Sequence, residues 1–373
     1  MGSSKRQSDR TVMNGILLNV VNVQHRKSTQ QPRAHRMTKL DIIDKMSFKE
    51  TITSVELVDL SLDGKPRLVV TTLNGDVRVL EYVPGDKVPL EEICRADGLP
   101  PLAAVGVGDV LGNGIPDLVV GGLDNAMRII SYTDGDLRVD SLTPLGSLPT
   151  AIGVFNVTED KGSEVIVATT DGALRCYGWY EVALDKLAHK VLDNPVFSIM
   201  PMTSKGMPYN RFVFGDESGY LYLYQYADDR LHERKKIMVG GEITLVATGD
   251  VTGDGYSEIM TVSDGKNLSL LGTTKGSMEK IDSVRAPNGV TSVKIGSFWK
   301  TEKPRGQIVS SHTNSRVSLL NFIGRQIVED TSIKTARRAS DSMMSVGDIN
   351  GDSRPEIVQA VGNTVNIIGV SDE

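Results

Sequence analysis

The chain has 373 residues, 39% of them hydrophobic, and a formal net charge of −6 at pH 7. This composition excludes disorder over most of the length and allows either one repeat array or two to three ordinary domains. No run of about 18 apolar residues is present, which excludes a membrane-spanning helix, and two cysteines, Cys94 and Cys176, are too few for a disulfide framework and point to a reducing, cytoplasmic compartment.

Residues 1–38 read as a basic N-terminal arm, partly disordered. Over residues 1–39, Lys5, Arg6, Arg10, Arg26, Lys27, Arg33, Arg36 and Lys39 face Asp9 alone, so a basic arm precedes an acidic body. The middle of the arm, Val12 to Val23, is apolar but broken by Asn14, Gly15, Asn19 and Asn22. It is too interrupted for a signal peptide, and no small-x-small cleavage pattern follows it before His25. It suits either a segment packed on the body or a docking segment for a partner. The arm has no interleaved aromatics and the body is acidic, which argues against nucleic acid as its partner.

Residues 39–373 follow one repeated grammar of strand, acidic turn, strand. It is plainest at Val107–Val120, Thr248–Ile259 and Val346–Val358. The residue after each turn serves as an anchor: Arg67, Asp117, Glu164, Arg211, Glu258, Gln307 and Glu356, at spacings of 50, 47, 47, 47, 49 and 49. Each anchor opens a short apolar run such as Leu118-Val119-Val120, as expected of a strand covered on both faces. A turn rich in Gly, Asn or Asp follows, then a third strand, among them the alternating Tyr220-Leu221-Tyr222-Leu223-Tyr224. More polar fourth strands are expected at Leu90–Ala96, Leu137–Leu142, His189–Leu192, Lys235–Val239, Lys280–Arg285 and Arg325–Asp330, where charge suits an outer edge.

Four antiparallel strands at this period, without helical patterning, predict an all-β, seven-bladed β-propeller of four-stranded blades. The seventh unit lacks a fourth strand, and Leu40–Met46 supplies a spare one ahead of the first inner strand, expected at Ser54–Leu60. The N-terminal strand is therefore expected to close the last blade, and its deletion to destabilise the whole ring. The acidic turns share one rim. The Gly-rich turns and the links Pro100-Pro101, Pro149, Pro195, Gly240-Gly241 and Pro287-Asn288 share the other, where short rigid links mark the expected docking surface.

The acidic turns resemble the FG-GAP repeat of integrin α-subunits over roughly residues 40–373, specifically in three repeats and degenerately in four. The resemblance implies a calcium loop, since calcium takes six to eight oxygens and needs a donor at alternate positions of a tight turn. Matched position by position, the seventh turn offers Asp348, Asn350, Asp352 and Glu356, with Ser353 in place of Gly. The fifth offers Asp250, Thr252, Asp254 and Glu258, one of them a hydroxyl. The second lacks a donor at Leu111, the third carries Lys161 at the Gly position, the first has Arg67 at the acidic anchor, and the fourth (Thr203, Lys205, Arg211) and sixth (Trp299, Gln307) are not expected to bind. The alternative is that these side chains only make Asx-turns that set hairpin geometry, with no cofactor required.

Lacking a signal peptide, disulfides and complete calcium loops, the chain resembles the intracellular FG-GAP propellers of the KICSTOR complex and of BBSome subunits. That resemblance implies a non-catalytic protein-interaction scaffold within a multiprotein complex, in those families one serving small GTPases. Two alternatives stand beside it: a calcium-stabilised extracellular adhesion or carbohydrate-binding propeller, and a propeller lyase. No catalytic motif is present, and the five histidines have no metal-ligand spacing. Arg337-Arg338-Ala339-Ser340 has the form of a basophilic kinase site in a connecting loop.

Overall fold

The computed structural model describes residues 38–203, 210–273, 277–299, 305–337 and 341–372. The arm before Thr38, with its apolar stretch 12–23, and the Arg338-Ala339-Ser340 part of the kinase-like motif lie outside the described residues.

Strand β1 (Thr38–Ser47) comes first. Blade one is β2 (Ile52–Val58), β3 (Arg67–Thr72), β4 (Val77–Tyr82) and β5 (Leu90–Ala96); blade two is β6 (Leu102–Gly108), β7 (Asp117–Gly122), β8 (Ala126–Thr133) and β9 (Asp136–Pro144). Blade three is β10 (Pro149–Phe155), β11 (Glu164–Thr169), β12 (Ala173–Tyr180) and β13 (Ala183–Val191); blade four is β14 (Val196–Pro201), β15 (Arg211–Asp216), β16 (Tyr220–Ala227) and β17 (Arg230–Met238). Blade five is β18 (Ile243–Gly249), β19 (Glu258–Ser263), β20 (Asn267–Gly272) and β21 (Glu279–Arg285); blade six is β22 (Val290–Gly296), β23 (Gln307–His312), β24 (Arg316–Ile323) and β25 (Gln326–Lys334). The chain then forms β26 (Ser342–Gly347), β27 (Glu356–Val361) and β28 (Thr364–Asp372). Six sheets are built from consecutive strands, and the seventh has the order β1-β28-β27-β26. The molecule is thus an all-β, seven-bladed propeller whose last blade is closed by the N-terminal strand, as its repeat pattern predicts.

The seven anchors open the second strands. In six of those strands every residue is buried. Apolar runs form there because both faces of a blade pack on neighbouring blades. The buried apolar side chains form seven clusters, each spanning one blade–blade boundary. On β16 the alternation splits between two of them: Tyr222 and Tyr224 join the blade three–four cluster with Phe212 and Phe214, while Leu221 and Leu223 join the blade four–five cluster. Truncating such a side chain, Phe214→Ala for example, costs about 3–5 kcal/mol in a packed core.

The closing strand behaves as a regular outer strand. Each outer strand pairs with its third strand through a register shift, and β1 carries the same shift, between Ile42 and Asp44. Such a bulge adds twist, which lets the outer edge splay away from the axis. Observed strands differ from the expected ones mainly at the outer edge. Strands β9, β13, β17 and β25 begin earlier or end later than the polar stretches suggested. The β12–β13 and β16–β17 hairpins turn on left-handed non-glycine residues, Glu181 and the consecutive Asp228 and Asp229, which lack the Asn-Gly or Asp-Gly signature. The first inner strand is Ile52–Val58 rather than Ser54–Leu60, since Asp59 and Leu60 already belong to the acidic turn.

Candidate functional site

The anchor carboxylates have one consistent job. Oε2 of Glu258 accepts hydrogen bonds from the Val251 and Thr252 amides at 2.8 and 3.0 Å. Oδ2 of Asp117 accepts from Val110 and Leu111, both at 2.9 Å, and Oε2 of Glu164 from Val157 and Thr158 at 2.6 and 3.2 Å. Oε2 of Glu356 accepts from Ile349 at 3.2 Å. Gln307 repeats the contact with a neutral amide, its Oε1 accepting from Phe298 at 3.0 Å. In five of the seven turns a buried side-chain oxygen thus ties down one or two amides at the start of the turn. Burial sets the cost: it pushes Glu258 and Glu356 up to about 7 and Asp117 up to about 6, against the pull of the amides and with neighbouring turn carboxylates adding to the rise.

The remaining candidates lie on the same turns and are engaged. Asp250 accepts from the amides of Gly253, Asp254 and Gly255 at 2.6–3.2 Å, and Asp254 from Tyr256 at 2.9 Å. The Thr252 hydroxyl donates to Glu258 Oε1 at 3.3 Å. In the seventh turn Asp348 accepts from Gly351 and Ser353 at 2.7 and 2.6 Å, and Asp352 from Arg354 at 2.7 Å. Asn350 Nδ2 donates to Glu356 Oε1 at 2.9 Å. These are Asx-turn contacts. Among the described residues no three His, Cys, Asp or Glu side chains are placed to hold a metal ion. All eight side chains thus take part in hydrogen bonds within their own turns. In blade one, Arg67 grips Asp63 through both oxygens at 2.6 and 2.7 Å and holds that carboxyl down to about 2.

The channel is a cavity of about 500 Å³ lined by all seven inner strands. Those strands carry two ionisable side chains, Glu56 and Lys294, and the two face each other at 3.6 Å as an ion pair spanning the edge of blade seven. Hydroxyls stitch neighbouring inner strands: Ser345 Oγ accepts from Leu57 N at 3.1 Å, and Thr248 Oγ1 donates to the Pro201 carbonyl at 2.9 Å. The channel's acid and base neutralise one another, an arrangement suited to holding blades in place. Neither thiol is poised as a nucleophile, because burial pushes Cys94 up to about 11 and raises Cys176 further.

A wider feature lies on the acid-turn rim across blades two, three and four. It is a groove of about 720 Å³ with Trp179, Leu187 and Tyr226 among its lining residues. Tyr180 at its lip is 60% exposed, and Val182 in the same hairpin is 80% exposed. Glu159, Asp160, Asp228 and Asp229, with the buried anchor Glu164, line it against the single cation Lys161. The Tyr226 hydroxyl donates to Asp229 Oδ1 at 3.0 Å, which fixes the Asp228-Asp229 turn at the groove wall. The sequence pattern did not mark this groove. Its one signal was the Asp228-Asp229 pair between two alternating strands, and its walls come from three separate repeats.

No model of a protein family matches the chain, and no curated protein matches it. Among solved structures it is similar to BBS1N in a crystal structure with ARL6DN soaked with mercury, at 14% identity and a TM-score of 0.64, covering 90% of this chain and 96% of that one. A second crystal structure of the same complex, soaked with lead, matches at 14% identity and a TM-score of 0.63, covering 89% of this chain and 95% of that one. Likeness at this identity speaks for the fold, a seven-bladed propeller over nearly the whole length of both chains.

Proposed function

We propose that this chain is an FG-GAP-type propeller that works as a non-catalytic scaffold, binding other proteins within a cytoplasmic multiprotein complex. The observation that carries the reading is the groove on the acid-turn rim. Exposed aromatic and aliphatic side chains at the lip of a concave surface are the usual anchors of protein recognition. Five carboxylates, one of them the buried Glu164, against one lysine favour a positively charged segment of the partner. The paired Glu56 and Lys294 support the non-catalytic part, since the channel offers no free acid or base on its inner strands. A complex linked to a small GTPase is the specific form of this reading, in keeping with the resemblance above and with the pairing of BBS1N with ARL6DN. The groove replaces the opposite rim, with its short links, as the docking surface we favour.

Affinity purification with three baits tests the reading: the full chain, a chain lacking residues 1–37, and a Val182→Asp, Asp228→Lys variant. Proteins recovered with the first two baits and lost with the third support the groove. Loss with the arm-deleted bait alone moves the interface to residues 1–37. Recovery of no stoichiometric partner by any bait sinks the scaffold reading.

A further inference from the structure

Between blades six and seven, on the rim of the Gly-rich turns, lies a second cavity of about 710 Å³. We propose that it is a binding site for a small phosphorylated polyol. Three cations, Lys45, Lys334 and Arg337, line it, and no carboxylate does, in a chain whose net charge is −6. None of the three has an ion-pair partner among the described residues. Like charges gathered without a counter-charge repel one another, so an anion that enters is held by all three at once.

The independent observation is Asn366. Its residue is 1% exposed, it lines the cavity, and both its Oδ1 and Nδ2 atoms lack a hydrogen-bond partner. A buried amide with neither end used is costly in a folded protein and points to a missing partner. Asn366 stands opposite Lys45 in the β1–β28 pair, so both side chains leave the same face of the blade. The next pair along that face, Ser47 and Thr364, places two hydroxyls 2.9 Å apart.

The donor set defines the ligand. Cations and an amide N–H suit phosphate oxygens, while the hydroxyls and the amide oxygen suit ligand hydroxyl groups. The volume is in the range of small-molecule pockets rather than of a single ion. No aromatic side chain lines the cavity to stack a nucleobase, which sets nucleotides aside. A polyol bearing one or more phosphates satisfies every group, whether free in solution or as a lipid headgroup. The site is at a different boundary and on the other rim from the groove of the scaffold reading, so each stands or falls alone.

The test is isothermal titration and thermal unfolding of the full chain with inositol trisphosphate, fructose bisphosphate, inorganic phosphate and unphosphorylated inositol. Inositol trisphosphate is expected to bind and raise Tm, and unphosphorylated inositol to do neither. Lys334→Glu, an exposed change, should weaken binding at least tenfold without lowering the Tm of the free protein. Asn366→Leu should abolish binding while leaving the free protein as stable or more stable, because it removes an unpaired amide; a purely structural asparagine would give the reverse. Flotation with vesicles containing phosphatidylinositol bisphosphate separates the sources: tighter binding on vesicles assigns the headgroup, equal binding the soluble polyol, and either sustains the site. The proposal is overturned if no phosphorylated polyol gives heat or a Tm shift, if binding survives both substitutions, or if a phosphoserine peptide binds where the polyol phosphates do not.

Discussion

The two rims of the propeller hold their turns by different means. On one rim a side chain does the holding: Asp117, Glu164, Glu258, Gln307 and Glu356 each reach back to the amides that open the turn. On the other rim short side chains such as Asp216 and Thr72 bond the turn amides, and in two blades the backbone itself closes on the turn. Gly219 has φ +84°, and a Cβ there would sit 1.9 Å from the Gly240 carbonyl oxygen of the link to blade five. Gly75 repeats the contact at 1.8 Å from the Leu99 carbonyl oxygen. A rim held by side chains tolerates Glu, Asp, Gln and even the self-neutralised Arg67–Asp63 pair at the same position. At Gly75 and Gly219 the close approach leaves no room for a Cβ, whereas the matching positions in blades two and six are Asn125 and Ser315, both at φ 61°.

Removing the frame that both rims share should have the largest effect. Deletion of residues 1–47 takes away β1, and the expected outcome is loss of a cooperative thermal transition by circular dichroism. Deletion of residues 1–30 should leave Tm unchanged. Equal melting of the full chain and the 1–47 deletion would refute the closure argument. Next, Gly219→Ala should cost more than about 4 kcal/mol in chemical denaturation, from left-handed backbone strain plus the clash with Gly240. A loss under about 1 kcal/mol would show that the backbone rim is softer than its geometry implies.

The side-chain rim is predicted to respond to pH. The Glu258 and Glu356 carboxyls are raised to about 7 in the fold, above the value near 4.5 of a free side chain. The folded state therefore binds their protons more tightly than the unfolded state. Their stabilising contribution is full below about pH 4.5 and is lost as pH rises through about 7. A Glu258→Gln, Glu356→Gln variant copies the neutral Gln307 anchor. It should be more stable than the natural chain at pH 8, by on the order of 1–2 kcal/mol per site, and lose that advantage by pH 5. A difference independent of pH would mean that the anchors stay ionised. The smallest expected effect is that of calcium. Because the turn carboxylates are occupied by amides, millimolar calcium should leave Tm unchanged, and a rise that disappears in Asp250→Ala would assign an ion to the fifth turn.

Most of the architecture was legible because a propeller repeats its constraints. An anchor followed by an apolar run recurs at nearly fixed spacing, and a strand buried on both faces admits few other residues. The closing strand was legible by elimination, since one unit lacked an outer strand and one strand lacked a unit. The outer hairpins were not, because Glu181 and Asp228-Asp229 adopt left-handed turns without glycine. The groove and the cationic cavity were not either. Leu111, Tyr180 and Asp229 line one groove from three different blades, and Asn366 sits within the apolar pattern of β28, where nothing in sequence reveals that its amide is unpaired.

The seam between β1 and β28 also dictates an order of events. On a ribosome β1 is made before any blade, yet Lys39 pairs with Ser371 and Ser47 with Thr364. The outer edge of the last blade cannot be covered until β28 has been made. Throughout synthesis β1 has its partner positions empty, and the growing stack ends in an uncapped blade. Open strand edges of this kind template pairing between chains. Two nascent copies on one messenger could exchange their first strands, so the step that seals a ring in one molecule is also the step most exposed to strand-swapped dimers.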